Sequence, residues 1–114
     1  MKILQEIGLT DSEIKVYLAL LEIGSSKKAA IVKKAKITSS KIYEVIDKLI
    51  EKGLASYVVK NKVKYFNAAP PTRIKDYLKE KEAKLKEQED AFDKILPSLE
   101  LKQTLVESGT DAEI

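Results

Sequence analysis

Between Thr38 and Gly53 the apolar residues Ile42, Val45, Ile46, Leu49 and Ile50 recur at i, i+3, i+4, i+7 and i+8. That spacing puts all five on one face of an α-helix, and a helix with a single apolar face has to dock on a core. Thr38 or Ser39 is placed to cap its first N–H groups, and Gly53 to stop it. The outward side opens with Ser39, Ser40, Lys41, Tyr43 and Glu44. These offer hydroxyls, a cation, a ring and a carboxylate but no catalytic set, which is the make-up of a helix that enters a DNA groove.

Two runs rich in β-formers follow, Ala55 to Lys60 and Lys62 to Asn67, with alternation through Val63 and Tyr65. Lys60, Asn61 and Lys62 form the expected turn, because asparagine accepts a positive φ more readily than other non-glycine residues, although the favoured Asn-Gly pair is absent. A helix, a glycine and then a hairpin with a basic tip is the order of a winged helix-turn-helix.

The preceding residues supply the rest of such a domain. Ile3, Leu4 and Ile7 predict a short apolar helix ending at Gly8. Thr10 and Glu13 stand at capping-box spacing, with Leu9 and Ile14 as a hydrophobic staple, so a longer helix starts there and ends at Gly24. Ile14, Tyr17, Leu18 and Leu21 form its expected main face, widened by Val16, Leu20 and Ile23. Ser25 or Ser26 caps a further helix from Lys27 to Ala35. There Ala29, Ala30, Ile31, Val32 and Ala35 permit close packing under the recognition helix, while Lys27, Lys28, Lys33 and Lys34 face outward. The turn Lys36-Ile37-Thr38 is three residues long, as in a helix-turn-helix, with Ile37 as its buried plug.

Charge is divided unevenly along the chain. Residues 26–66 hold eleven basic and three acidic side chains, a net +8, whereas 1–25 and 67–114 are net −2 and −3. A basic block confined to the helix-turn-helix segment is the footprint of a phosphate-binding surface, a lysine-rich solvated face being the bland alternative. Thr38, Lys48 and Lys64 join Lys27, Lys28, Ser39, Ser40, Lys41, Tyr43, Glu44, Lys60, Asn61 and Lys62 as candidate DNA contacts. Tyr43 either stacks on a sugar or forms half-buried helix surface. Glu44 and Asp47 either accept from cytosine or pair with Lys41, Lys48 or another lysine.

With neither cysteine nor histidine, the chain lacks disulfides, thiol nucleophiles, imidazole bases and the usual zinc ligands. No glycine-rich phosphate loop is present either, so an enzyme is not expected, and no cofactor or metal. The N-terminal segment is too short for a signal peptide and Val16 to Leu21 too short to span a bilayer, so a cytoplasmic protein without membrane contact is expected.

Ala69-Pro70-Pro71-Thr72 breaks the pattern and bounds a winged domain over 1–69. From Thr72 or Arg73 a long helix begins. Ile74, Leu78, Lys81, Leu85, Gln88, Phe92, Ile95 and Leu99 follow a 4-3 alternation, a coiled-coil stripe interrupted at Lys81 and Gln88. Its apolar members are the expected dimerisation residues, and pairs such as Glu82 with Lys86 support its surface. Pro97 predicts a kink or an end near Leu96, giving a dimerisation segment over 70–106 and a disordered tail over 107–114. The fold expected is mostly α with a small β-hairpin: a winged helix-turn-helix followed by a long C-terminal dimerisation helix.

Three stretches carry a family resemblance: Leu9 to Gly24 (LTDSEIKVYLALLEIG), Ser40 to Leu54 (SKIYEVIDKLIEKGL) and Lys64 to Pro71 (KYFNAAPP). In this order they resemble the N-terminal domain of the TrmB-like transcription regulators over roughly residues 3–80. The resemblance implies sequence-specific duplex DNA binding, dimerisation through the following helix and an archaeal source. By it, Ser40, Lys41 and Tyr43 sit where the family presents its recognition helix, and Lys60, Asn61 and Lys62 at the wing tip. Lys36 departs from the pattern, since glycine is common in such turns, and implies a tighter or strained turn. Larger members carry a C-terminal sugar-binding domain, and the chain ends soon after its long helix, so no sugar-sensing role is expected to carry over.

The function expected is that of a homodimeric transcriptional regulator on a pseudo-palindromic site. Lysines set the register on phosphate and the start of the recognition helix, at Ser40, Lys41 and Tyr43, reads base edges. A winged-helix adaptor in a transcription or repair complex is the alternative, since a fold does not dictate a function. The residues name no small-molecule effector.

Overall fold

The side chain of Thr10 accepts a hydrogen bond from the Glu13 N–H (3.1 Å), and the Thr10 N–H donates to Glu13 Oε1 (2.8 Å). This reciprocal cap starts helix α2, Asp11–Ile23, as expected, and the staple residues Leu9 and Ile14 are both buried. The computed structural model describes residues 1–107, so all of the expected tail except Glu107 lies outside the described residues. Around α2 the chain sets α1 (Lys2–Glu6), α3 (Lys28–Ala35), α4 (Ile42–Glu51), an antiparallel hairpin of β1 (Ala55–Lys60) and β2 (Val63–Ala68), and finally α5 (Arg73–Glu107).

α2 packs on α1, α3, α4 and β2. The face those neighbours cover is centred on Val16, Tyr17 and Leu20, so Leu21 and Ile23 fall outside it and are exposed, contrary to the expected face. Opposite stand Ile31 and Ala35 of α3, Ile42, Val45, Ile46 and Leu49 of α4, then Leu54 and Phe66, all in one core. Ala29 and Ala30 are exposed, so in α3 only Ile31, Ala35 and the half-buried Val32 face inward.

Three boundaries differ from expectation. α3 has Lys27 as its N-cap, with no side-chain cap bond. Ser26 is engaged elsewhere: its hydroxyl donates to the Gly24 carbonyl (2.8 Å), and its backbone exchanges two hydrogen bonds with Phe66 (3.0 and 2.8 Å). α4 begins at Ile42 with Lys41 as N-cap, so neither Thr38 nor Ser39 caps it. Thr38 and Ser40 place their hydroxyls 3.3 Å apart in a turn before the helix, a local bond that competes with capping. Finally, α5 runs through Pro97 to Glu107 and does not end near Leu96. Proline removes a single N–H, leaving the Asp93 carbonyl without that partner, and the helix resumes with regular bonding on the far side.

The α3–α4 turn confirms the oddity at Lys36. Its φ and ψ of 57° and 46° are left-handed, its N–H donates to the Val32 carbonyl (3.0 Å), and Ile37 packs half-buried against the core. A side chain in this region is strained by about 1–2 kcal/mol. Lys36→Gly is therefore expected to raise stability by about 1 kcal/mol after the cost of a more flexible unfolded chain, read as a higher denaturation midpoint. An unchanged or lower midpoint would mean that the turn relieves the strain elsewhere.

Gly53 (φ 76°) stops α4 as expected, and the Leu54 N–H closes back on the Leu49 carbonyl (2.9 Å). The hairpin register pairs Lys60 with Val63, leaving a two-residue loop of Asn61 and Lys62. Both have positive φ, 50° and 65°, the mark of a type I′ turn, with Lys62 where glycine is favoured. The hairpin returns to the core through Ala69, whose N–H donates to the Leu54 carbonyl (2.8 Å) and whose carbonyl accepts from the buried Tyr17 hydroxyl (3.0 Å). Burial raises the Tyr17 pKa, keeping the phenol a donor.

The compact winged unit extends beyond residue 69 to Leu78, because Ile74 packs on its core. From Lys79 a second unit consists of the remainder of α5, none of it buried. There Lys86 pairs with Glu89 (3.3 Å) and Asp90 (3.4 Å) instead of Glu82. No helix among the described residues is long and apolar enough to cross a membrane.

Candidate nucleic-acid interface

Two elements bring lysines to one cleft of about 740 Å³, the start of α3 with Lys27 and Lys28 and the wing with Lys62 and Lys64, and there they meet Ser39 of the turn before α4 and Tyr43 of its first turn. The apolar floor of the cleft is Ala29, Val32, Val63 and Phe66. Other expected contact residues lie on the opposite flank of α4. Lys41, Glu44 and Lys48 line a smaller depression of about 230 Å³ with Thr10 and Ser12 at the start of α2. Thr38 and Ser40 are exposed in the turn before α4, and Lys60 and Asn61 are exposed at the hairpin tip. The candidate residues thus surround the exposed start of α4 but do not form one pocket.

The lysines are held by rings more than by carboxylates. Lys28 Nζ lies 4.6 Å from the centre of the Tyr43 ring and Lys64 Nζ 4.5 Å from that of Tyr57. Lys27 and Lys60 both approach Tyr65, at 5.7 and 5.8 Å. At exposed sites each such contact contributes about 0.5–1 kcal/mol, enough to restrict a lysine without neutralising it. Tyr43, half exposed, is therefore a platform for Lys28. Among the described residues no carboxylate pairs with Lys27, Lys28, Lys41, Lys48, Lys60, Lys62 or Lys64, and Glu44 and Asp47 do not pair with Lys41 or Lys48 as had been one expectation. Lys34 does not belong to this field, being paired with Glu22 at 2.8 Å.

One ion pair steadies α4 from behind. Glu13, 1% exposed, accepts from Lys52 Nζ (2.6 Å) at the C-cap of α4, and Lys52 also donates to the Gly8 carbonyl (3.4 Å). Burial by itself would raise the Glu13 pKa, but Lys52 and the Thr10 N–H outweigh it and hold the carboxyl below its ordinary value.

Sequence reasoning missed Tyr57 and Tyr65 as lysine partners, Ser26 as the anchor of the wing and the Glu13–Lys52 bond. A signal for the tyrosines did exist. With a two-residue turn the register sets Val59 opposite Lys64 and Tyr57 opposite Phe66, so Tyr57 and Lys64 are diagonal neighbours on one face of the hairpin.

Residues 4–72 match the family described as the sugar-specific transcriptional regulator TrmB. Over 55 residues the chain is 40% identical to the HTH-type sugar sensing transcriptional regulator TrmBL1 of Pyrococcus furiosus, covering 48% of this chain and 16% of that protein. Over 98 residues it is 32% identical to the uncharacterized protein YrhO of Bacillus subtilis, covering 86% of this chain and 34% of that one. The chain thus spans about a third or less of the length of these relatives, and they come from an archaeon and a bacterium, so the expected archaeal source does not follow from them. In fold it is similar to TrmBL2, an archaeal chromatin protein whose structure is reported to show a novel mode of DNA binding. That match has a TM-score of 0.80 at 24% identity, covering 96% of this chain and 44% of that one.

Proposed function

The chain belongs to the TrmB family of transcriptional regulators, and on that premise we propose that it is a homodimer that binds duplex DNA sequence-specifically at a site of two half-sites. The observation that carries this reading is the meeting of Lys27, Lys28, Lys62 and Lys64 with Ser39 and Tyr43 in one cleft free of carboxylates. Lysines of α3 and the wing neutralise phosphates and set the register, while Ser39, Ser40, Lys41 and Tyr43 at the start of α4 reach base edges in the major groove. Lys62 supports the same reading: a charged residue occupies a positive-φ turn position where glycine is relaxed, and strain of this kind gathers at functional sites.

The test of the reading is selection of bound fragments from a random duplex pool. Enrichment of a motif with two related halves is expected. Recovery of unenriched sequence would remove the specificity, and recovery of nothing would favour an adaptor role.

The wing makes a separate prediction. Lys60→Ala or Lys62→Gly removes one phosphate contact, and the second also relaxes the turn, so the hairpin is kept. Each is expected to flatten the slope of log K against log salt by roughly one unit. Unchanged affinity and slope in both variants would take the wing out of the interface.

A further inference from the structure

The cleft between α3, the start of α4 and the wing has a floor that phosphate does not need. Ala29 is exposed, Val63 is 37% exposed, Val32 is half-buried and Phe66 closes the bottom. A phosphate oxygen gains nothing from such a surface, which favours only another apolar surface. Around it stand the ammonium groups of Lys27, Lys28, Lys62 and Lys64, and among the described residues none of them pairs with a carboxylate. Lys28 and Lys64 are steadied over Tyr43 and Tyr57, at 4.6 and 4.5 Å, and Lys27 lies 5.7 Å from the centre of the Tyr65 ring. These contacts hold the charges at the rim without neutralising them. The volume of about 740 Å³ falls in the range of small-molecule sites, roughly 300–1,000 Å³, and an apolar lining with a few polar groups is their usual make-up.

We propose that this cleft binds a small organic acid, apolar along its body and ionised at one end, and that the bound acid excludes duplex DNA. The body lies on Ala29, Val32 and Val63. The ionised end takes Lys28 or Lys64 at the rim, with the hydroxyls of Ser39 and Tyr43 as further donors. An inorganic anion would leave the floor wet, and a neutral apolar molecule would forgo the lysines, so only the two properties together use the whole cleft. An acid on Lys28 or Lys64 also occupies an ammonium group that a phosphate would otherwise take. By linkage each ligand then weakens the other. The competition rests on the duplex-binding reading above, whereas the site itself does not.

The probe is 8-anilinonaphthalene-1-sulfonate, an apolar ring system with one anionic group whose fluorescence rises when it leaves water. Saturable binding is expected, reversed by octanoate but not by the same concentration of octanol. Ala29→Glu sets a carboxylate on the floor at the second position of α3, where the positive end of the helix dipole favours an acid, so the fold is kept. It should weaken dye and octanoate roughly tenfold, and Lys28→Gln roughly three- to tenfold. The exposed apolar residues of α5 can hold dye as well, so the share of the cleft is the part that Ala29→Glu removes. Binding untouched by both variants overturns the site, as does the lack of saturable binding in a chain that still binds duplex. Dye that Ala29→Glu removes but saturating duplex does not displace overturns the competition and takes DNA off this cleft. Dye binding sensitive to both variants, in a chain that binds no duplex, supports the site and overturns the DNA reading alone.

Discussion

A chain carrying Leu85→Lys and Phe92→Lys is expected to sediment as a monomer with its winged domain still folded, and to lose most of its preference for a two-half-site operator. Leu85 is 67% exposed and Phe92 48% exposed in the single chain, so neither supports the winged core and both are available to a partner helix. Burying a large apolar side chain is worth about 1.5–3 kcal/mol, and a dimer loses four of them in this variant. Ile74 remains against its own core, which is why the winged unit should survive. Linking two binding units raises avidity by about 10²–10⁴, and that factor should vanish on the full operator while a single half-site is bound as before. Sedimentation followed by binding to one and two half-sites reads both effects. A variant that remains dimeric, or binds the full operator as tightly as wild type, would mean that α5 is not the dimer seam.

Glu13→Ala is expected to destabilise the winged domain by about 2–4 kcal/mol, through loss of half of a capping box and of the partner of a mostly buried lysine. Glu13 is 1% exposed and the Lys52 side chain 22%, so solvent does little to screen the pair, although Lys52 can still turn partly to water. The pH dependence separates charge from packing. A carboxyl held below its ordinary value of 4.5 contributes stability that is complete above that value and is lost as pH falls through the folded-state value. Glu13→Gln keeps an acceptor for the Thr10 N–H but has no proton to gain. Its denaturation midpoint should therefore be lower than wild type at pH 7, and the gap should narrow as pH falls below about 4.5. A gap that stays constant down to acid pH would assign the effect to packing and remove the ion pair from the account.

What was legible in the sequence was local. The apolar periodicity of α4, the Thr10–Glu13 box, Gly53 and a turn at Lys60-Asn61-Lys62 each depend on residues within a few positions, and each is present, the turn tightened to the two residues Asn61 and Lys62. The misses are of two kinds. Some involve residues far apart in the chain, such as Ser26 with Phe66 or Glu13 with Lys52, where no spacing rule applies. Others are competitions between local options: the Thr38 hydroxyl lies beside Ser40 instead of capping α4, and Lys36 holds a left-handed turn where glycine would be relaxed. The candidate site was readable as a list of lysines and hydroxyls. Its division between the two flanks of α4, and the rings that orient its lysines, needed the hairpin register and the packing of α3.

Affinity of the wild-type chain for nonspecific duplex DNA, measured across salt concentration, reads the phosphate-binding face itself. Each neutralised phosphate contributes about −0.9 to the slope of log K against log salt. Lys27, Lys28, Lys62 and Lys64 around one cleft and Lys60 at the hairpin tip, none of them paired with a carboxylate, predict a slope of about −4 to −5 per winged domain and binding that is strong at low salt. Absent binding at low salt, or an affinity indifferent to salt, would contradict a phosphate-binding face and with it the reading of this chain as a DNA-bound regulator.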